Sequence, residues 1–144
     1  MKRGVGLTFQ RKYAGRVLLL AWEWTPCAEA TALEHQRMGR DVHVITCRQN
    51  GQSDLEIQSG LHLHRVDAPE GDPTTVLWSA NLNNRLAAMG SLVLTTYGTF
   101  ELLVAHDEQV ADGTAVLAEK ARLPICAPTP ESQHRPLSTM EVNR

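Results

Sequence analysis

A short, uninterrupted hydrophobic run near the start of the chain is the strongest signal in this sequence. Val17 to Ala21 contains no polar residue and no apolar–polar alternation. Such a run is typical of a strand buried on both faces at the centre of a parallel sheet. A central strand delivers its last residues to the crevice at the carboxyl edge of the sheet, so we expect Trp22, Glu23 and Trp24 to lie there. The alternatives are a buried helix or the core of a signal peptide, and the run is short for both.

The rest of the hydrophobic pattern alternates between strand and helix signals. It predicts strands at 16–23, 42–46, 55–58, 61–66, 100–105 and 123–127, and helices at 28–38, 74–94 and 108–122. Strands that alternate with helices predict an α/β, Rossmann-like three-layer domain with a mostly parallel sheet. The strands at 55–58 and 61–66 alternate apolar and polar residues around Ser59-Gly60, so they are predicted to add a hairpin or edge strands with one solvated face.

The same pattern places the domain boundaries. Residues 1–15 hold scattered charges and no hydrophobic period, and are predicted to be a loose lead-in. Residues 128–144 carry several prolines and many polar side chains, and are predicted to be a disordered tail. One domain at 16–127 remains.

Composition and charge argue against two classes of partner. The net charge is −2, so the chain has no basic footprint for nucleic acid or anionic lipid. No segment approaches the ~20 consecutive apolar residues of a membrane span. We therefore expect neither nucleic acid nor a membrane span.

Three widely spaced cysteines, without a Cys-x-x-Cys pair, argue against a zinc knuckle and a disulfide framework. Cys47 and Cys126 each end an apolar run, and we expect both to be buried free thiols. Reduced thiols suit the cytoplasm, which is the expected location. The competing interpretation of residues 1–30 as a signal peptide leaves an apolar core of about six residues, below the ~7–15 usually needed.

Polar side chains follow several predicted strands. Glu23, Thr46 and the pair His106-Asp107 stand at carboxyl ends that would meet along one edge of the sheet. Asp107 precedes a predicted helix, where its carboxylate is expected to act as an N-cap. The functional hypothesis is that His106 and Asp107 contact a polar ligand, and the two roles are compatible.

Histidines inside strands are weaker candidates for a site. His62 and His64 are two residues apart and would face the same way, but a metal site needs a third ligand. A solvated strand face is the favoured interpretation, and we expect no metal. His43 is expected to be packed or hydrogen-bonded rather than a ligand.

The long helix offers polar and aromatic side chains. Trp78 is expected in the core, and a wet helix face or hydrogen bonding to a sugar explains equally well the asparagines Asn81, Asn83 and Asn84. The first strand is not followed by Gly-x-Gly-x-x-Gly, and the chain contains neither a P-loop nor a Gly-x-Ser-x-Gly elbow. We therefore expect no dinucleotide or other cofactor.

Several segments, taken in order, resemble the N-terminal domain of retaining GT-B glycosyltransferases of the glycogen and starch synthase type, in glycosyltransferase family 4. The resembling segments are 16–26, 39–46, 78–86, 97–107 and 111–127. The resemblance implies a domain that holds the acceptor carbohydrate and faces a second domain that binds the nucleotide-sugar. It also implies an acceptor-side site, without catalytic residues, formed by Trp22, Glu23, Pro26, His106 and Asp107.

The sequence departs from that family where donor phosphates would bind. Pro26 is followed by Cys-Ala-Glu-Ala instead of the family's Gly-Gly loop, which lets backbone N–H groups approach phosphate. His106-Asp107-Glu108 replaces His-Asp-Trp, and Ala127-Pro-Thr-Pro-Glu131 replaces a Thr-Ile-His pattern. No donor-binding domain is recognisable in the 144 residues.

These departures lead us to expect an acceptor-side half that is inactive alone. It would bind nucleotide-sugar only with a separate donor-binding domain or chain as its partner. The alternatives are a stand-alone α/β module that binds a small polar ligand or carbohydrate, and a non-functional remnant.

Overall fold

The computed structural model describes residues 15–128 as a six-stranded sheet with helices on both faces. The strands are β1 (Gly15–Leu20), β2 (Arg40–Cys47), β3 (Leu55–Gln58), β4 (Leu61–Val66), β5 (Phe100–Ala105) and β6 (Ile125–Cys126). The helices are α1 (Pro26–Arg37), α2 (Val76–Tyr97) and α3 (Ala111–Ala121), the last preceded by a 3₁₀ turn at Glu108–Val110. The strand order is β3-β4-β2-β1-β5-β6, and only β3 runs antiparallel. The expected Rossmann-like α/β fold is confirmed.

Strand β1 lies in the middle of the sheet, as its hydrophobic run predicts. Val17 to Ala21 are at most 1% exposed because helices cover both faces. Alternate residues of the strand, Leu18 and Leu20, pack on the side of α2 and α3, whereas Val17 and Leu19 pack on the side of α1. β1 pairs with β2 on one side and with β5 on the other. The chain therefore adds strands first on one side of β1 and then, after α2, on the other side. This is a topological switch point, where open α/β sheets bind ligands.

Local turn chemistry fixes where α1 begins and ends. The hydroxyl of Thr25 accepts a hydrogen bond from Ala28 N–H at 3.1 Å, and Pro26 occupies the first turn, where its missing N–H costs nothing. The chain turns out of the helix at Gly39, whose φ of 88° favours glycine. The short connection then leads directly into β2.

Strand β4 is not the half-solvated strand that its alternating pattern predicts. β3 forms the edge of the sheet, and β4 is enclosed between β3 and β2. His64 and Arg65 are consequently buried, at 7% and 2% exposure. Arg65 is accommodated because its guanidinium pairs with Glu56 of β3 at 2.7 Å. Polar residues in β4 therefore indicate internal pairing, not contact with water.

Two further expectations about burial are wrong. Cys126 is exposed because β6 is a two-residue strand paired along only one side, with β5. Asn83 is buried, at 8% exposure, because it joins α2 to the start of α3. Its amide donates to Gln109 O at 3.0 Å and accepts from Gly113 N–H at 2.7 Å. The neighbouring Asn81 and Asn84 are exposed, as a wet face requires.

Among residues 15–128, the helices fall short of the length and apolar character that crossing a bilayer requires. The predicted lead-in and tail lie almost entirely outside the described residues, at 1–14 and 129–144.

Candidate functional site

The carboxyl ends of β1 and β5 lie side by side, as the site hypothesis requires. His106 N–H donates to Leu20 O at 2.9 Å, which carries the β1–β5 pairing past the end of both strands. Trp22 and Asp107 follow directly, and the Trp22 N–H donates to the Asp107 carboxylate at 3.3 Å. We call Trp22, Glu23, His106 and Asp107 the carboxyl-edge site. The structure brings these four predicted residues to one edge of the sheet.

The carboxylate of Asp107 links the ends of β1 and β5 through one oxygen, and its other oxygen makes no hydrogen bond within residues 15–128. Oδ2 accepts from Trp22 N–H, whereas Oδ1 is buried and has no hydrogen-bond partner among those residues. The expected N-cap role of its side chain is wrong, because the carboxylate turns towards β1 and makes no hydrogen bond to the following 3₁₀ turn. A buried acceptor without a partner costs about 1–3 kcal/mol. Oδ1 is therefore an acceptor whose hydrogen-bonding capacity the fold leaves unused, on a side chain that is only half-buried.

Trp22 gives the site an aromatic wall. Its carbonyl accepts from Cys47 N–H at 3.1 Å and from the Thr46 hydroxyl at 3.2 Å, so its backbone is fixed against β2. Its half-buried ring packs edge-to-face on Trp78, with ring centroids 5.2 Å apart. Trp78 is in the core, as expected, and its indole N–H donates to Pro69 O at 2.9 Å. The Trp22 ring is thus held rigidly with part of its surface open.

Carboxylates dominate the charge at this edge, and the pKa of the Cys47 thiol reflects this charge. Burial, together with the nearby carboxylates of Glu23, Asp67 and Asp107, raises the pKa of the Cys47 thiol to about 11. The guanidinium of Arg85 acts in the opposite direction. A ligand at this edge would therefore meet net negative charge, which favours neutral hydroxyl donors over phosphate groups.

Pro26, the fifth predicted site residue, follows the carboxyl end of β1 at the first position of α1. It is exposed at the start of α1, and α1 packs on the sheet face opposite to α2 and Trp78. Proline supplies no N–H, and the Thr25 hydroxyl already engages the N–H of Ala28. The start of α1 thus has fewer free donors than the helix N-termini that bind phosphate.

A second polar cluster, which we did not anticipate, lies at the opposite, amino edge of the sheet. His43 is fully buried, as expected for a packed residue, and its Nδ1 lies 3.0 Å from Nε2 of His64. The rings of His43 and His62 stack with centroids 4.2 Å apart. Burial, followed by the neighbouring imidazole of His62, lowers the pKa of both His43 and His64 to about 4. The expected solvated face is therefore mostly enclosed, and His43 and His64 are held as buried, neutral imidazoles.

The signal for this cluster was the repeated spacing of two residues. Asp41 and His43 share a face of β2, and His62 and His64 share a face of β4. Parallel pairing places His43 directly beside His62. The sequence does not show which strands are neighbours. It therefore did not predict that Asp41 and His43 lie beside His62 and His64.

Comparisons with known proteins give the fold. No protein-family model and no curated protein matches this chain. The C-terminal domain of a hydrogenase from Pyrococcus furiosus is similar to it, with a TM-score of 0.55, 14% identity, and coverage of 80% of this chain and 92% of that one. A sucrose-phosphate synthase from Thermosynechococcus elongatus has a TM-score of 0.45 and 14% identity over 82% of this chain and 78% of that one. The first likeness shows a shared α/β fold, and the second is too low to support an argument.

Proposed function

We propose that this chain is the acceptor-side domain of a nucleotide-sugar-dependent glycosyltransferase, similar to those that make glycogen and starch. In this proposal the carboxyl-edge site binds the acceptor carbohydrate. The observation that carries the proposal is the half-buried carboxylate of Asp107, which has one oxygen without a partner among residues 15–128 and lies beside the partly open Trp22 ring at the switch point.

The chemistry of the site suits a neutral sugar. A carboxylate accepts strong, charge-assisted hydrogen bonds from hydroxyl groups, and Oδ1 of Asp107 has this capacity free. The partly open ring of Trp22 offers apolar surface to the C–H face of a sugar. The surrounding carboxylates, Glu23 and Asp67 among them, would repel the diphosphate of a nucleotide-sugar.

Transfer itself requires more than this site provides. Glycosyl transfer needs the charge on the donor phosphates to be neutralised and the acceptor to be oriented against the donor. The start of α1, where the family's Gly-Gly loop would approach the phosphates, instead carries Pro26 and the engaged Thr25 cap. We therefore propose that this chain does not transfer sugar by itself and acts with a separate donor-binding domain or chain.

Exposed apolar side chains near the site support such a partner. Val76 and Leu77 open α2 and are 86% and 70% exposed. Because α2 begins after the carboxyl end of β4, these residues stand on the side of the sheet where the site lies. Contiguous exposed apolar surface marks an interaction surface, whereas a stand-alone binding module would keep this rim polar.

The proposal is tested by separate assays of binding and transfer. The purified chain is titrated with a linear α-glucan by calorimetry, and is then incubated with labelled nucleotide-glucose and the same glucan. We expect glucan binding and no transfer. Asp107→Asn should weaken glucan binding about tenfold, since one charge-assisted hydrogen bond is worth ~1.5–3 kcal/mol. Asp112→Asn, on the exposed surface of α3, is the matched control and should bind as the parent does.

Two results would contradict the proposal. Equal glucan affinity in the parent and Asp107→Asn would remove the assigned role of Asp107. Sugar transfer by the chain alone would contradict the requirement for a donor-binding partner.

A further inference from the structure

The buried cluster at the amino edge gathers the ligand types of a metal site. Asp41 and His43 project from the same face of β2, and the parallel register places His62 of β4 beside His43. One carboxylate oxygen of Asp41 and one ring nitrogen from each histidine all lie within 4.8 Å of one another. These residues are at the opposite end of the strands from the carboxyl-edge site, so the cluster is a separate feature.

One ligand atom in this cluster has no partner. His43 is fully buried, and its Nε2 makes no hydrogen bond to any part of the chain that the structure describes. The nearest carboxylate oxygen, Oδ2 of Asp41, lies 3.7 Å from it, beyond hydrogen-bonding distance. Burying a ring nitrogen without a partner is unfavourable, so this atom calls for a proton donor or a metal ion.

Two of the separations within the cluster are close to those around a bound ion, and the half-buried His62 ring would turn out of its stack on His43 to direct a nitrogen at the same ion. Ligands at ~2.0–2.2 Å from a tetrahedral zinc ion are about 3.3–3.6 Å apart. Asp41 Oδ2 is 3.7 Å from Nε2 of His43, and Asp41 Oδ1 is 3.7 Å from Nε2 of His62. We propose that Asp41, His43 and His62 bind a divalent transition-metal ion of the zinc type between β2 and β4.

Neighbouring side chains orient the ligands, as second-shell residues do in metal sites. Arg16 Nε donates to Asp41 Oδ2 at 2.9 Å, which fixes the carboxylate and leaves Oδ1 directed towards His62. Nδ1 of His43 lies 3.0 Å from Nε2 of His64. With His43 Nε2 on the ion, its Nδ1–H donates to His64, and this sets the tautomer that metal binding requires.

The end of α2 offsets the positive charge of Arg16 next to the cluster. The carbonyls of Tyr97 and Gly98, at the C-terminus of that helix, accept hydrogen bonds from Arg16. The Tyr97 ring lies 4.3 Å from the His43 ring, centroid to centroid. A helix C-terminus carries partial negative charge and stabilises nearby cations.

The ligand set indicates which ions would bind. Imidazole favours zinc, cobalt and nickel over magnesium and calcium, which take oxygen ligands. Three protein ligands leave a fourth position for water or a small anion. His62, whose side chain is 28% exposed, provides the route from solvent.

The test uses the metal alone as its probe. Exposed thiols bind zinc adventitiously, so the parent for this experiment carries Cys27→Ser and Cys126→Ser. Chelator-treated protein is titrated with Zn²⁺ by calorimetry and with Co²⁺ by visible absorption. We expect one ion per chain, four-coordinate cobalt bands, and zinc-dependent shifts of the His43 and His62 imidazole nitrogens in NMR spectra.

Variants assign the ion to this site. His62→Ala should weaken zinc binding by ~100-fold or more, since even second-shell changes cost about 10–100-fold. Asp41→Asn should weaken it as well, and it provides a second variant of nearly unchanged shape. The matched control is His35→Ala, on the surface of α1, which should bind zinc as tightly as the parent. Circular dichroism of the metal-free variants verifies that each one folds.

Three results would overturn the proposal. One is parental zinc binding weaker than about 0.1 mM. Another is equal affinity in the parent, His62→Ala and Asp41→Asn. The third is a zinc-dependent imidazole shift confined to His35 or His106.

Discussion

The two edges of the central sheet treat polar side chains in opposite ways. At the carboxyl edge, Glu23 is exposed. One carboxylate oxygen of Asp107 accepts a hydrogen bond from Trp22 N–H, and the other has no partner in the described part of the chain. At the amino edge, His43 and His64 are buried and hydrogen-bonded to each other. Polar groups beyond strand ends reach an open crevice, whereas those within strands must find partners inside the protein. We therefore expect carbohydrate affinity to depend on the carboxyl edge, and the stability of the metal-free protein to depend on the amino edge.

The largest effect should follow loss of the most buried imidazole. His43→Ala removes a fully buried ring and leaves Nε2 of His64 without its partner. We expect unfolding free energy to fall by about 3 kcal/mol, from the cavity and the unpaired nitrogen together. Urea denaturation monitored by circular dichroism measures this. A loss below about 1 kcal/mol would contradict the view that this edge stabilises the fold.

Acid should destabilise the metal-free protein through the same residues. In the folded chain the pKa of His43 and His64 is lowered to about 4 from 6.5, chiefly by burial and by His62. Asp41 opposes this shift for His43, and Arg16 adds to it. The unfolded chain binds more protons between these pH values, so stability is full above pH 6.5 and falls as pH drops towards 4.

Urea midpoints measured across this pH range, with chelator present, test the acid effect. His64→Gln should flatten the dependence because it removes one of the two titrating groups. A parent whose midpoint does not change between pH 6.5 and 4 would show that these imidazoles are not held neutral by the fold.

A smaller effect on stability is expected at the carboxyl edge. Asp107→Ala removes the acceptor for Trp22 N–H, but it also removes the unpartnered Oδ1. The two contributions oppose each other, so we expect a loss of about 1 kcal/mol or less. Thermal unfolding of the variant beside His43→Ala gives the comparison directly. A larger loss in Asp107→Ala than in His43→Ala would reverse the assignment of stability to the amino edge.

The smallest expected effect concerns the reactivity of the Cys47 thiol and requires no substitution. Burial and nearby carboxylates raise the pKa of its thiol to about 11, whereas Cys27 and Cys126 are exposed. An aromatic disulfide reagent should label two thiols in the native chain and the third only after unfolding. Rapid labelling of all three in native protein would show that the carboxyl edge is open down to Cys47.

The sequence predicted the features of the fold that depend on local patterns. The run Val17 to Ala21 has no polar residue, and this is sufficient to place it mid-sheet. The helix predicted from residue 28 begins two residues earlier, because Thr25 caps it and Pro26 suits its first turn. Because strand ends gather at one edge in any parallel sheet, Trp22 and Asp107 could be placed together before the structure was known.

What the sequence did not predict depends on which elements become neighbours. His62 and His64 offered only two metal ligands, and Asp41 and His43 joined them through the pairing of β4 with β2. Asn83 gives no sign of burial until α3 packs against α2. The carboxylate of Asp107 accepts from Trp22 N–H and not from its own helix, because the pairing of β1 with β5 brings Trp22 beside it.

The central position of β1 also affects how the chain is made. The hydrogen bonds of β1 to β2 can form early in synthesis. Those on its other side form only after β5, which ends at Ala105, has been synthesised. Until then, a strand of leucines presents an unpaired backbone on a growing polypeptide, a state that favours aggregation. Because these contacts join distant parts of the chain, folding should be slow and should finish only after β5 has left the ribosome.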